Sequence, residues 1–343
     1  MKNLLSVIIP CYNNGRYLTK MIDCFKNQTV GNWELIIVDD LSTDDTPSTI
    51  REYIRDMDNI FFYTRDRLPK GSAVCRNIGF EKSKGEYVCH IDADDLVSNT
   101  FVQDRVAYMN KHTDIDYASF PAKLFTDEKK LPSFYTPGYT WGVPLGNKPL
   151  LYYFLKYKYP FSVWNNIYRK DSIKDLPWDE KVLIKTDFSF IVPTILKGLK
   201  HSFSNLNKVD YYYRHDINNK VAMTSDQVSP EKLNSTIYLF SKTLDSIKEC
   251  GLYNEYKNVF FEYVLIYFQE ILFRETENGL EDYIGMCEKY YSKSQVKRMR
   301  ILKSVYFRIK HHKPRMAIFL ILGFVFFQKM QYLKTLAVLL RIL

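Results

Sequence analysis

Apolar residues recur along this chain in two rhythms. Short unbroken runs at residues 4–9, 34–38, 60–63 and 86–91 have the texture of strands buried on both faces of a parallel sheet. Between them the spacing lengthens to that of a helix. Leu18, Met21, Ile22 and Phe25 fall on one helical face, Thr46-Pro47 opens a second helix as N-cap and first-turn proline, and residues 71–84 form a third. Strand and helix alternating four times predict a doubly wound, mostly parallel α/β sheet with right-handed crossovers. Beyond residue 101 the pattern loosens. Val102, Val106 and Met109 predict a helix, residues 115–120 a strand, and Asp210-Tyr-Tyr-Tyr-Arg214 a closing strand. From Ser229 to about Tyr291 the chain turns helical, with Leu233, Ile237, Phe240, Leu244 and Ile247 and then Phe260, Val264, Tyr267, Phe268 and Ile271 at helical spacing.

Polar residues interrupt this scheme where chemistry is expected. The strand at 86–91 runs into Asp92-Ala93-Asp94-Asp95, and the strand at 34–38 runs into Asp39-Asp40. Crowded carboxylates raise one another's pKa unless a cation sits among them. A hard divalent ion held by one or two carboxylates and by substrate phosphates resolves that conflict. An acidic, solvated loop with a helix N-cap explains Asp-Ala-Asp-Asp equally well when it is taken alone. In open α/β sheets ligands bind beyond the carboxyl ends of the strands, and neighbouring parallel strands would carry both clusters to one rim. Neither Gly-x-Gly-x-x-Gly nor Gly-Lys-Ser/Thr follows the first strand, so a dinucleotide fold and a P-loop are both disfavoured. A nucleotide would here be held by acids and a metal.

Composition adds three constraints. The six cysteines (Cys11, Cys24, Cys75, Cys89, Cys250, Cys287) are scattered without Cys-x-x-Cys pairs, which argues against a zinc site or disulfide framework and for a reducing compartment. The apolar run at 4–9 stops at Pro10, too short for a secretory signal. The net charge of +9 is not spread evenly, because residues 292–343 hold twelve Lys/Arg and no acid, leaving residues 1–291 at −3.

Four motifs in order carry a family resemblance. Ser6-Val7-Ile8-Ile9-Pro10-Cys11-Tyr12-Asn13, Val38-Asp39-Asp40-Leu41-Ser42, Arg76-Asn77-Ile78-Gly79 and Asp92-Ala93-Asp94-Asp95 resemble the family-2 glycosyltransferases of GT-A fold, over roughly residues 4–110. The resemblance implies a UDP-sugar donor, Mn²⁺ or Mg²⁺, and transfer with inversion at the anomeric carbon by a hexosyl- or N-acetylhexosaminyl-transferase. It implies that Pro10 and Tyr12 border the nucleotide, that Asp40 accepts from the uracil ring and that Asp39 supports that loop. Arg76 would contact the donor diphosphate, Asp92 and Ala93 would lie near ribose and sugar, and Asp94 would hold the metal. Physical chemistry agrees on two points. A uracil N–H suits a carboxylate acceptor, and a departing UDP gathers negative charge that a divalent ion and an arginine stabilise.

Two later segments resemble the family's acceptor-side motifs, residues 163–169 and 185–190. Asn166 stands where a lysine is common, and Thr186 replaces a usual glutamate, but Asp187 remains. The resemblance gives Asp187 the role of general base, since an acceptor hydroxyl is a poor nucleophile until its proton is removed; helix capping is its alternative role. Trp141 and Trp164 are candidates for stacking on sugar faces against a background of core aromatics, and His215 for a metal or phosphate contact against a solvated surface histidine. Residues 292–315 are densely basic and precede an apolar run at 316–327. Twelve helical residues reach only about 18 Å, short of a hydrocarbon core of about 30 Å. A helix lying on an anionic membrane fits better than a span or a nucleic-acid site; packing against the protein itself is the alternative.

The expected organisation is a nucleotide-sugar half (1–110), an acceptor half (111–225), a helical extension (226–291) and a membrane-associating tail (292–343). The expected function is transfer of a sugar to a hydroxyl of a lipid-linked glycan in surface-polysaccharide synthesis, at the cytoplasmic face of a bacterial membrane, without nucleic acid. A sugar-phosphate nucleotidyltransferase and a non-catalytic membrane-bound scaffold of the same fold are the alternatives.

Overall fold

The four apolar runs become four strands lying side by side. In chain order the elements begin β1 (Leu5–Cys11), α1 (Gly15–Lys26), β2 (Trp33–Asp39), α2 (Thr46–Tyr53), β3 (Ile60–Thr64), α3 (Ser72–Lys82), β4 (Tyr87–His90), β5 (Leu96–Val97) and α4 (Phe101–Lys111). They continue with β6 (Tyr117–Ser119), β7 (Ala122–Phe125), β8 (Thr140–Trp141), α5 (Leu150–Leu155), β9 (Asn166–Arg169), α6 (Lys170–Ile173), α7 (Thr186–Leu196), β10 (His201–Phe203), β11 (Tyr211–Arg214) and α8 (Pro230–Glu249). Three long helices follow, α9 (Tyr253–Phe273), α10 (Glu277–Tyr290) and α11 (Lys293–His312). This computed structural model describes residues 3–125, 140–204, 208–214, 229–273 and 277–312. The chain forms two compact units, Met1–Phe260 and Phe261–Leu343.

In the first unit, among the described residues, a seven-stranded sheet runs in the order β10-β6-β9-β4-β1-β2-β3. β4, β1, β2 and β3 are parallel, whereas β9 is antiparallel to both β4 and β6. The sheet is therefore mostly parallel, as the alternation predicts. Val7, Ile8 and Ile9 on β1 and Leu35, Ile36 and Ile37 on β2 are fully buried, because helices cover both faces. Leu18, Met21, Ile22 and Phe25 of α1 are fully buried as well. α3 approaches the sheet so closely that a Cβ on Gly79 would lie 2.4 Å from Ile8 Cγ2. That approach explains the glycine of Arg76-Asn77-Ile78-Gly79 and sets how near the rim Arg76 stands.

Three details differ from the sequence expectation. β1 lies between β2 and β4, so the two acid clusters share a rim but end strands that are not neighbours. At a strand spacing of about 4.8 Å they sit roughly 10 Å apart. Thr46 is not a cap; it is the first residue of α2 after Asp45, and its Oγ1 instead accepts the amide of Gly15 at 2.9 Å. Trp164 is 5% exposed and stacks on Tyr211 and Tyr213 at 4.8 and 5.3 Å, so its indole belongs to the core.

A smaller sheet, β5-β11-β7-β8, brings the closing strand over the end of β4. One ion pair holds the junction. Arg105 of α4, fully buried, donates through Nε and Nη2 to Asp210 at 2.7 and 3.0 Å, and through Nη1 to the carbonyls of Trp164 and Asn166. Three segments, α4, residues 164–166 and the start of the closing strand, thus converge on one guanidinium whose planar fork suits such work. Further along the same unit, Ser229 caps α8 by accepting the Lys232 amide at 3.3 Å.

In the second unit α10 and α11 pack through Ile284, Cys287, Val296 and Met299, all buried. All six cysteines of the chain are free thiols. Among the described residues no helix is long and apolar enough to cross a membrane. His215, the 134–141 loop up to Tyr139 and residues 313–343 lie outside the described residues.

Replacing Asp210 by Asn leaves the Arg105 charge buried and unanswered. Loss of one partner of such a pair costs about 3–5 kcal/mol. A urea titration should show the midpoint falling accordingly, and an unchanged midpoint would show that the pair does not support the junction.

Candidate functional site at the carboxyl rim of the sheet

Each strand of the parallel set ends in a polar loop, and the loops are tied to one another. After β1, Asn13 donates its amide to Ser42 Oγ at 2.9 Å, and its side chain exchanges hydrogen bonds with Thr43 at 3.2 and 2.9 Å. After β2, Asp39 accepts from the Ser42 amide and hydroxyl at 3.0 and 2.5 Å. Asn13, Leu41 and Lys185 hold φ angles of 52°, 61° and 60°. Left-handed backbone at non-glycine residues costs about 1–2 kcal/mol each, and such strain gathers at functional sites.

The base-side cluster consists of Asp39, Asp40 and the loop after β3. Asp40 is nearly buried, and its Oδ1 accepts from Arg65 Nε at 2.5 Å, with both side chains about 5% exposed. The Arg65 amide returns to the Asp39 carbonyl at 2.8 Å. One oxygen of Asp40 is thereby committed to Arg65, leaving Oδ2 as its remaining acceptor toward a ligand. Tyr12 is half-buried beside it, with the Lys70 ammonium 3.4 Å from its ring centroid. Lys70 also lowers the Tyr12 phenol's pKa from the usual value. Pro10, on β1 next to Val38 of β2, is half-buried at the start of this loop.

The second cluster follows β4, and its three carboxylates have separate surroundings. Asp95 is buried and accepts from Tyr211 Oη at 2.5 Å and from the Arg214 amide at 2.7 Å, so it fastens the loop to β11. Burial and its two acidic neighbours push its pKa well above the usual carboxylate range. Asp92 accepts from Arg76 Nη2 at 2.8 Å. Burial raises its pKa from 3.8 to about 6, with Arg76 opposing and the carboxylates of Asp187 and Asp94 reinforcing the rise. Ala93 is buried between them. Asp94 is half-buried, and among the described residues no other side chain is shown bonding its carboxylate; its carbonyl takes Arg214 Nε at 2.5 Å. Burial raises its pKa too, with Arg214 opposing.

Arg76 itself is 4% exposed. Its guanidinium lies 4.4 Å from the Trp178 ring centroid, and Nη1 reaches Ser72 Oγ at 3.1 Å. Trp178 in turn donates to His90 Nε2 at 3.5 Å. The guanidinium is thus engaged by Asp92 and by an indole face.

Asp187 lies in the first turn of α7, behind the N-cap position held by Lys185. Capping is therefore not its role. Its Oδ2 accepts from the Ser162 hydroxyl and from the Val163 amide. A helix N-terminus also attracts a negative group through its unpaired amides. Its charge reinforces the rise of the Asp92 pKa. Asn166 is buried, linking Ser119 and Tyr168 at 2.5 and 2.7 Å. Trp141 is half-buried, edge-on to Trp164 at 5.5 Å.

Among the described residues no three His, Cys, Asp or Glu side chains form a metal cage. Asp94, whose carboxylate takes no bond from another described side chain, fits a hard divalent ion whose other ligands come from phosphate and water. The sequence reading missed Arg65, Trp178, Tyr211, Arg214 and Ser162. Arg65 alone carried a signal, as a cation just past the end of the 60–63 strand on the acid-bearing rim.

Residues 6–176 match the sequence profile described as glycosyl transferase family 2. The chain is 28% identical over 249 residues to the minor teichoic acid biosynthesis protein GgaB of Bacillus subtilis, covering 71% of this chain and 26% of that relative's length. It is 27% identical over 248 residues to an uncharacterized glycosyltransferase of Haemophilus influenzae, covering 69% and 86% of the two chains. A crystal structure of S. aureus TarS 1–349 in complex with UDP-GlcNAc superposes with a TM-score of 0.64 at 20% identity, covering 90% of this chain and 87% of that one. The likeness shows a GT-A fold.

Changing Arg76 to Gln removes the cation that holds the Asp92 pKa down. The midpoint of the Asp92 carboxyl, followed by ¹³C NMR, should climb above its value of about 6. A midpoint that stays or falls would show that the pair does not set the charge of Asp92.

Proposed function

Because the chain belongs to the family 2 glycosyltransferases, we propose that it moves a sugar from a UDP-sugar to an acceptor hydroxyl with inversion at the anomeric carbon. The observation that carries this reading is the rim itself. Asp40 and Asp94 follow strands on either side of β1, one locked to Arg65 and the other without a side-chain partner among the described residues. That spacing suits a nucleotide lying across β1, its uracil N–H toward the second oxygen of Asp40 and its diphosphate toward Asp94. Tyr12 with Lys70 would flank the ring, since a cation-bearing tyrosine face is a good bed for a polar heterocycle.

Mn²⁺ or Mg²⁺ bound through Asp94 would neutralise charge on the departing diphosphate. The remaining work falls to this chain. Arg76, stacked on Trp178, holds the Asp92 carboxylate where the donor sugar would lie. Asp187, fixed by Ser162 and Val163, takes the acceptor hydroxyl's proton while the new carbon–oxygen bond forms and the bond to UDP breaks. Asp92 and Asp187 share one electrostatic neighbourhood, as a donor sugar and an acceptor hydroxyl in near contact require.

The donor class is read as a UDP-hexose or UDP-N-acetylhexosamine, supported by the UDP-GlcNAc named for the TarS structure. An envelope polysaccharide as acceptor is supported by the teichoic acid pathway named for GgaB. A lipid-linked form of that acceptor is favoured by the basic and apolar C-terminal sequence.

Calorimetry with UDP should detect binding that strengthens when Mn²⁺ is added, and Asp94→Ala should lose that metal dependence. Identical titrations with and without the ion would remove the metal from the site. Asp187→Asn should retain UDP-sugar affinity while transfer falls by about 10²–10⁴-fold; surviving turnover would move the base elsewhere.

A further inference from the structure

The second unit presents a face that sugar transfer does not use. The sequence of α11 has no Asp or Glu, and its charged side chains are all basic. Those among the described side chains divide into two groups. Arg300 and Lys303 turn onto α10, where Arg300 meets Glu288 and Glu281 at 2.7 and 3.3 Å and Lys303 meets Glu281 at 2.6 Å. Val296 and Met299 are buried on the same side. Lys293, Lys297 and Arg298 are exposed, and no acid pairs with them among the described residues. At 3.6 residues per turn, Lys293, Lys297 and Ile301 form one stripe with Arg298 at its edge. Ile301 is 45% exposed, an aliphatic side chain among cations.

We propose that this outward stripe of α11 docks on an anionic lipid surface, with Ile301 entering the headgroup layer between lysines and an arginine. The inner pairs are solvent-exposed and add little stability. Their effect is on charge distribution: the glutamates of α10 neutralise Arg300 and Lys303, while the charges of Lys293, Lys297 and Arg298 face outward without a described acid. Lipid is favoured over a phosphate-rich polymer by two features. Ile301 gains nothing from a polyanion in water, but amphipathic surface helices bury such residues. The sequence then continues through Lys313 and Arg315 into an uncharged apolar run at 316–327, and no acid follows before residue 343. Attachment at the cytoplasmic face of the membrane would keep the enzyme near acceptors carried on lipid. Charge and exposure alone define this surface, which would dock in the same way if the sugar chemistry were different.

The test uses the full chain and co-sedimentation with vesicles of phosphatidylcholine alone or mixed with phosphatidylglycerol. Binding should require phosphatidylglycerol and weaken as salt screens the headgroups. Each outward cation contributes about fivefold, so the K293Q/K297Q/R298Q variant should partition on the order of a hundredfold more weakly. Circular dichroism of that variant should match the parent, because none of the three residues packs in the unit. Equal binding to neutral vesicles, or a triple variant that sediments like the parent, would overturn the proposal. So would soluble polyphosphate binding the chain with the same dependence on Lys293, Lys297 and Arg298 while vesicles do not bind.

Discussion

Parallel strands deliver all their carboxyl ends to one rim, and this chain places Asp39, Asp40, Asp92, Asp94 and Asp95 there. Such crowding is unfavourable unless each acid is answered. The protein answers them one at a time. Arg65 takes Asp40, Arg76 takes Asp92, Ser42 takes Asp39, and Tyr211 with the Arg214 amide takes Asp95. Asp94 alone keeps a carboxylate with no such bond shown to another described residue. The compensation is therefore nearly complete and stops at the position where an incoming cation would finish it.

This arrangement couples fold to chemistry. Arg76 can reach Asp92 because Gly79 lets α3 lie against Ile8. Trp178, clamped between Arg76 and His90, comes from the segment just before α7, which carries Asp187. Arg105 and Asp210 hold the closing strand whose Tyr211 and Arg214 secure Asp95.

Much of the fold was legible because both periodicities are strong. The runs at 4–9, 34–38, 60–63 and 86–91 became β1 to β4, and the one-face spacing of Leu18, Met21, Ile22 and Phe25 became the buried side of α1. The order of strands was not, since nothing in a run of Val and Ile says which neighbour it pairs with; β1 between β2 and β4 is a tertiary fact. Acids were easy to notice as interruptions of apolar strands, as was Arg76 through its motif, but not the other cations. Arg105 sits in a stretch where a charged residue reads as a solvated face, and Arg65 showed only by its place past a strand end, yet each is 7% exposed or less. Trp164 misled in the opposite direction, because polar neighbours in sequence conceal the Tyr211 and Tyr213 rings that cover it in space.

One nucleotide bridging two acid clusters across β1 is the central claim. Anomalous diffraction from crystals grown with UDP and Mn²⁺ tests it most directly. The expected result is a manganese peak at ligand distance from the Asp94 carboxylate and a uracil edge against Asp40. Manganese bound away from Asp94, or a nucleotide whose base lies nowhere near Asp40, would contradict it.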